Sequence, residues 1–316
     1  MAAAFPCRAE LIDEPLQLSN QQPLAQLFNL PAMRAGEVLP ADTTVWRGGL
    51  SVANNFVRAQ NVEETLVIDG ESQRYELSIR RSIGNRFEIG MSVPWISYNG
   101  GVLDGFIEGW HNVWGLPDGG RPDYAKRQLT INYQRRGRAE LDFDRAEAGF
   151  GDAQLTAAWQ LIQSAQNAVA LAGHINLPTG DADKLTGSGK GSAGFTLAAT
   201  HTRLFDLPLT LSGNIGAQWQ PRGDVLGDQQ KQSVWFASTE INWALAQDWR
   251  LKVQVQAHSA LYTSELRALG SDAMQLLLGG SVNLSKNWLL DVAVGEDIAV
   301  DTAPDVTLQL ALRARY

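Results

Sequence analysis

Few side chains in this sequence stand in a pattern that could carry covalent or metal chemistry. Histidine occurs four times and cysteine once, as Cys7; one thiol makes neither an internal disulfide nor a zinc cluster. A hydrolase built on a lipid-facing wall needs a Ser, a His and an orienting group together. Only His201 stands on the outward phase of its strand, and the facing positions Leu209, Leu211 and Gly213 offer no hydroxyl. Gly187-Ser188-Gly189-Lys190 is not a phosphate-binding loop, because Gly191 follows the lysine and no glycine stands at the required earlier position. Asp181 and Asp183 hint at calcium, yet Thr186 sits where an EF-hand loop needs glycine. No catalytic residue, metal site or cofactor is expected. The net charge of −8 argues against a nucleic-acid partner, which needs a basic face.

The remaining candidates are charged and polar residues that recur at every second position. Arg47, Arg74, Glu76, Arg80, Glu88, Asp152, His174, Glu240, Lys252, His258 and Asp291 share one phase, with Arg250, Arg313 and Arg315. Such residues could form a selectivity constriction in a pore. They could equally form a neutralised network that fills a narrow lumen. Pairing Leu245 with Trp249 sets Asn242 beside Lys252 and Glu240 beside Gln254, so Glu240 can reach Lys252 diagonally.

The elements that carry these residues follow from the same period of two. Val306, Leu308, Leu310, Leu312, Ala314 and Tyr316 alternate with Thr307, Gln309, Ala311, Arg313 and Arg315, the signature of a strand between two different environments. The pattern predicts strands at 43–57, 72–83, 87–98, 149–162, 167–178, 191–204, 208–220, 232–245, 249–262, 273–284, 288–298 and 305–316. Three-residue turns at 84–86, 246–248 and 285–287 alternate with longer loops at 59–71, 99–148, 178–190, 221–231, 263–272 and 299–304. Short periplasmic turns and long extracellular loops are the asymmetry of bacterial outer-membrane barrels. The expected fold is all-β: a closed antiparallel transmembrane barrel of twelve strands over 43–316. A further hairpin, 129–133 with 139–143, is placed in the 99–148 loop above the membrane; counting it in the wall would make fourteen.

Ten tryptophans decide which face meets lipid. Trp46, Trp159, Trp243, Trp249 and Trp288 fall near the short-turn ends of their strands, and Trp95, Trp219 and Trp235 near the loop ends, all in phase with the apolar face. Two aromatic belts bounding an aliphatic band suit rings at a headgroup boundary. A soluble sandwich would put its large rings at mid-strand. The polar face then lines the lumen, which is expected to hold no apolar core. His201 and Arg203 fall on the outward phase, either near the periplasmic end, where charge is tolerated, or displaced by a bulge.

Residues 1–42 precede the barrel. MAAAFPCRAE lacks the basic and apolar regions of an export signal, so the true start is expected to lie elsewhere, with Ala2–Ala4 a remnant. Segment 15–40 is either a plug entering the barrel from the periplasm or a tail on its rim. In the 99–148 loop, Asp104 could cap a short helix presenting Phe106, Trp110, Val113 and Trp114 on one side. That helix either gates the mouth with Phe106, Trp110 and Trp114 or packs on its own hairpin.

Three sets of residues carry a family resemblance. Gly149-Phe150-Gly151-Asp152-Ala153-Gln154-Leu155 with Asn176-Leu177-Pro178-Thr179-Gly180-Asp181 resembles the "GxGD … LPTGD" pattern of the barrel family named for the phenol-degradation meta pathway. Ser19-Asn20-Gln21-Gln22-Pro23-Leu24 with Phe28-Asn29-Leu30-Pro31 resembles the "NQNPL … GLP" start of a related proteobacterial family, number 3187 among the domains of unknown function. Ile107-Glu108-Gly109-Trp110-His111 and Gly115-Leu116-Pro117 fit the latter as well. The strand ending in Tyr316 resembles the C-terminal signal read by the outer-membrane barrel-assembly machinery. The resemblance implies location in the bacterial outer membrane, with membrane lipid and that machinery as partners. A passive channel for a small, hydrophobic or aromatic solute is the leading functional expectation. A non-conducting structural or surface-interaction barrel is the alternative, and a lipid hydrolase the least expected.

Overall fold

The computed structural model describes residues 14–101, 128–299 and 301–316. Its strands are β1 (Thr44–Gln60), β2 (Glu64–Ile83), β3 (Phe87–Asn99), β4 (Thr130–Arg135), β5 (Arg138–Phe143), β6 (Glu147–Phe150), β7 (Ala153–Gln163) and β8 (Asn167–Leu177). They continue as β9 (Ser192–Thr202), β10 (Leu209–Trp219), β11 (Ser233–Ala244), β12 (Trp249–His258), β13 (Ala273–Asn283), β14 (Trp288–Asp297) and β15 (Val306–Arg315). Antiparallel pairing runs β1–β2–β3–β7 and then strand by strand to β15, which returns to β1. The result is a closed barrel of twelve wall strands. β1 closes it in full register on β15, from Val45 opposite Arg315 to Asn54 opposite Val306.

The hairpin β4–β5 stands outside the ring: β4 pairs only with the upper part of β2, Glu64–Asp69, and with β5. The loop expected at 59–71 is much shorter than that, because β1 and β2 stay paired out to Gln60 opposite Thr65. Val57, Leu66 and Ile68 on this extension are buried, so the ribbon is held up by apolar packing above the wall. The strand expected at 149–162 is interrupted. Trp95 faces Phe150 and Ser92 faces Gln154, which leaves one extra residue on the second chain, a β-bulge. Pro94 explains it: proline has no N–H for the ladder. Gly151 donates to the Pro94 carbonyl at 2.8 Å, and a side chain at Gly151 would come within 2.8 Å of the proline ring. The strand expected at 191–204 ends at Thr202. Arg203 lies in the turn at φ 60°, and His201, still on the strand, bonds through Nδ1 to Asn167 at 2.8 Å.

The outward phase is an exposed apolar band. Trp46, Trp95, Trp159, Trp219, Trp235, Trp243, Trp249, Trp288 and Tyr316 are all exposed, with Leu77, Ile89, Leu197, Ile215 and Leu310 between the two belts. Within the belts Phe87 stacks on Trp159 at 6.1 Å and Trp95 meets Phe150 edge-on at 4.9 Å. A continuous apolar surface of this extent is not stable in water; it is the lipid face of an outer-membrane-type barrel. Leu197 sits mid-wall between Leu171 and Ile215. Leu197→Arg should therefore destabilise the barrel by about 2–4 kcal/mol in phospholipid vesicles, read from urea unfolding. An unchanged midpoint would mean that this face does not meet hydrocarbon.

Candidate functional site

The lumen is built around residues 14–40, which make no strand of their own. Asn20 starts the local structure: its Oδ1 accepts from the Gln22 backbone N–H, and Pro23 opens a helical turn, α1 (Pro23–Gln26), where a missing N–H is harmless. The turn buries Leu24, Leu27 and Phe28 towards the loop end of the barrel. Asn29, at φ 43°, then reverses the chain. Its amide donates to the Asp152 carbonyl and to Asn176 Oδ1, while its Oδ1 accepts from Arg74 at 3.1 Å. Gln218 holds the Phe28 carbonyl at 2.7 Å.

Below this reversal the chain runs against the opposite wall. Gly36 N–H donates to Thr200 Oγ1 at 2.8 Å and Gly36 O accepts from Gln160. A Cβ at Gly36 would lie 2.5 Å from the Ala168 carbonyl, so the backbone can come this close only as glycine. Val38 donates to Gln160 Oε1, and Leu39 to Glu88 Oε2 at 2.9 Å. On its upward run Leu16 N–H donates to Glu240 Oε2 at 2.8 Å, and Asn20 Nδ2 is 3.0 Å from His258 Nε2.

The predicted lumen charges are brought together in two linked groups. Near the short-turn end Arg313 grips Asp291 bidentately, with Nε–Oδ2 2.8 Å and Nη2–Oδ1 2.9 Å, and Ser281 donates to the same carboxylate. Lys252 Nζ lies 3.7 Å from Asp291 and donates to the Glu14 carbonyl. The Glu14 carboxylate meets both Arg313 and Arg80, Arg80 reaches Glu88 at 3.3 Å, and Arg34 reaches Glu88 at 3.5 Å. Higher up, Arg47 and Arg74 both contact Glu76, at 3.3 and 2.9 Å. These groups are largely or fully buried, and a buried charge is tolerable only when paired and hydrogen-bonded. Glu14 and Arg34 come from the N-terminal segment, so the segment completes the pairing of the wall.

Other predicted residues stand outside these two charge groups. His174 pairs with Gln218 at 2.9 Å. Asp152, just past the bulge, ties down loop 178–190: its carboxylate accepts from the Gly180 and Ser188 N–H groups. Arg250 donates to the carbonyls of Ala246 and Gln247 at the turn. Asn242 lies opposite Lys252 and Glu240 opposite Gln254. Phe106, Trp110 and Trp114 fall outside the described residues. Among the described residues no group of three His, Cys, Asp or Glu side chains gathers at one point.

The interior is open beside the segment and closed at the loop end. A cavity of ≈120 Å³ lies between residues 17–34 and the wall formed by β1, β2, β3, β7, β8 and β9, with Arg34, Arg47, Arg74, Arg80 and Glu76 on its surface. The loop end, by contrast, is apolar: Val57, Ile68, Ile96 and Tyr98 of the wall pack with Phe28 of the segment and Tyr133, Phe143, Leu185, Leu226, Tyr262 and Leu269 of the overlying loops. The expectation of a lumen without apolar core is therefore wrong at this end. There the inward face meets protein rather than water, so apolar residues are stable on it. Phe28 meets Tyr262 edge-on at 5.4 Å, and Tyr262 donates to the Leu24 carbonyl.

One buried carboxylate ties this cover together. Glu64, above the belt on β2, accepts from Tyr133 at 2.5 Å, Ser264 at 3.0 Å and the Glu265 N–H at 3.0 Å. Burial alone would raise its pKa, but the hydrogen bonds from Tyr133, Glu265 and Ser264 outweigh it and hold the carboxyl below its usual range. A carboxyl depressed on folding stabilises the cover fully above its ordinary value and ceases to do so as pH falls through the lowered one. Protection against hydrogen exchange in 130–143 and 261–269, taken relative to the intrinsic rate at each pH, should accordingly fall on acidification below the ordinary carboxylate range. Glu64→Gln should exchange fast at neutral pH and lose that pH dependence; identical exchange in both proteins at neutral and acid pH would rule the carboxylate out as the tie.

The barrel is similar to solved bacterial structures. The COG4313 outer membrane channel from Pseudomonas putida F1 aligns with a TM-score of 0.58 at 12% identity, covering 89% of this chain and 97% of that one. The NanC porin aligns at 0.48 with 9% identity, covering 86% and 98%, and the Ralstonia pickettii toluene transporter TbuX at 0.43 with 11% identity, covering 96% and 95%. The first similarity shows a shared fold; the other two are too distant to add to it. No curated protein sequence matches the chain. Over residues 4–316 the chain matches, and belongs to, the family described as "Protein of unknown function (DUF3187)".

Proposed function

We propose that this protein is a passive outer-membrane channel for a small solute, with its bore occupied at rest by its own N-terminal segment. The observation that carries this reading is the way residues 14–40 are held. They bond to lumen side chains on most of the wall strands, yet they pair with none of them as a strand. The wall closes through β1 and β15 without them, so the segment can shift while the barrel stays intact. The segment is in this reading a plug, residues 1–42 forming a unit distinct from the barrel wall. The arginine-lined cavity beside it marks where a solute passes. The loop end faces the cell exterior, and the C-terminal strand ending in Tyr316 is the element offered to the assembly machinery. In the same reading the phenol-degradation family is kin to this one, which the motif around Asp152 and loop 178–190 supports.

A second reading, a non-conducting barrel, is favoured by one observation: the apolar cover held by Glu64 and Tyr262 closes the loop end. Planar-bilayer recordings separate the two. The full chain should show small conductance steps, and removal of residues 14–40 should enlarge them while the barrel still shows heat-modifiable migration in gels. Gly36→Ala, which forces a methyl against the Ala168 carbonyl, should raise the open fraction without removing the segment. Folded barrels with no conductance in any of the three proteins would favour the closed, non-conducting reading.

A further inference from the structure

We infer that the cavity between the N-terminal segment and the β1–β2 wall is a binding site for a small organic carboxylate, and that this anion class is the solute. The inference deepens the channel reading and rests on it. Its basis is the charge on the cavity surface. Four arginines, Arg34, Arg47, Arg74 and Arg80, line the cavity, against a single carboxylate, Glu76. The guanidiniums are not idle: Arg47 and Arg74 share Glu76, Arg34 and Arg80 share Glu88 behind the surface, and Arg80 also meets Glu14, which it shares with Arg313. Sharing is the point. Each carboxylate serves two cations, so the field inside the cavity is positive, and an entering carboxylate can take donors from arginines that are already held in place.

Arginine suits this task better than lysine. Its planar fork offers two parallel N–H groups to the two oxygens of a carboxylate. The forks here are fixed before the ligand arrives. Arg74 is braced by Asn29 and Glu76, and Arg47 by the Gln17 carbonyl and Glu76. Gly49, next to Arg47 on the same face, leaves the space that the guanidinium occupies; a Cβ there would lie 2.8 Å from Arg47 Nη1. The segment's side of the cavity carries one of the four arginines, Arg34, and is otherwise uncharged. Leu18, Leu30, Pro31, Ala32 and Met33 give it an apolar ledge among the polar Gln17, Ser19, Gln21 and Asn29. An anion with an apolar body matches both sides, whereas an inorganic ion would leave the ledge unused. The volume, ≈120 Å³, has room for several waters and so for a small organic acid.

The position also couples the ligand to the segment. Arg34 belongs to the segment and the other three arginines to the wall. A carboxylate between them competes with Glu76 and Glu88 for the same donors. Glu88 also accepts the Leu39 N–H, so redistribution of its donors reaches the point where the segment joins β1.

Isothermal titration of the purified full chain with sodium butyrate and with 1-butanol tests the assignment. Butyrate should bind and 1-butanol, which keeps the apolar body but lacks the charge, should not. Arg47→Gln should weaken butyrate on the order of tenfold or more, the loss expected for one charge-assisted contact; Glu76 keeps Arg74 as a partner, so the barrel should stay folded, checked by heat-modifiable migration. Arg250→Gln, at the turn, should leave butyrate affinity unchanged. Equal binding of butyrate and 1-butanol, or equal affinity in Arg47→Gln, overturns the assignment. Sodium sulfate binding as tightly as butyrate also overturns it, in favour of a plain anion site. Butyrate binding without butyrate uptake into vesicles would instead overturn the channel reading and leave the site standing.

Discussion

Backbone closure is the constraint from which the rest of this molecule follows. A sheet that faces hydrocarbon cannot leave an edge unpaired, because no water is present to satisfy its N–H and C=O groups. β1 and β15 meet that demand residue by residue, and Thr44 and Tyr316 extend it with a reciprocal pair of hydrogen bonds beyond the last strand residue. Once the sheet is a ring, every second side chain must point into a narrow space. The sequence puts Arg, Lys, Asp and Glu there, far from bulk water. Their charges can be carried only as pairs, and the pairs link up because each carboxylate is short of space and long on acceptors. Glu14 with Arg80 and Arg313, and Asp291 with Arg313 and Lys252, are parts of one such chain.

The N-terminal segment shares in that solution. It brings a carboxylate in Glu14 and a cation in Arg34, and its backbone supplies the donors that Glu240 and Glu88 accept. It also divides the interior into two different media. Towards the short turns the lumen is polar and ionic; towards the loops α1 turns Leu24 and Phe28 into an apolar cover. A solute moving along the axis would therefore meet two unlike barriers, one electrostatic and one made of packed side chains.

The wall was legible in the sequence because a strand between lipid and lumen writes its environment into every residue. Tryptophans in phase with the apolar face marked both belts, and all eight on the wall strands are exposed on it in the structure. The three-residue turns gave the parity, which is a local property too. What stayed hidden depends on residues far apart in the chain. The bulge at Gly151 arises from Pro94 across the sheet, and it carries Asp152 from its expected place among the lumen charges to the foot of loop 178–190. The long β1–β2 ribbon depends on β4 and on the loops that it packs against. Glu14, Arg34 and Gly36 carry no local period, so nothing near them announced a role. Asn20 is different: an Asn shortly before Pro23 is a visible turn signal, and the structure uses it to start α1.

The place of the segment in the chain has a consequence for how the molecule comes to exist. Residues 14–40 run directly into β1, and β1 is one side of the closing pair. The segment nevertheless bonds to side chains on β7, β8, β9, β10, β11 and β12 across the ring. Those partners surround it only when the cylinder is complete. The segment therefore gains its full set of partners only in the step that brings β1 to β15. Its docking and the closure of the ring are coupled in one direction: each strand that joins the wall adds a contact to the segment, while the backbone pairing of the ring needs none from it.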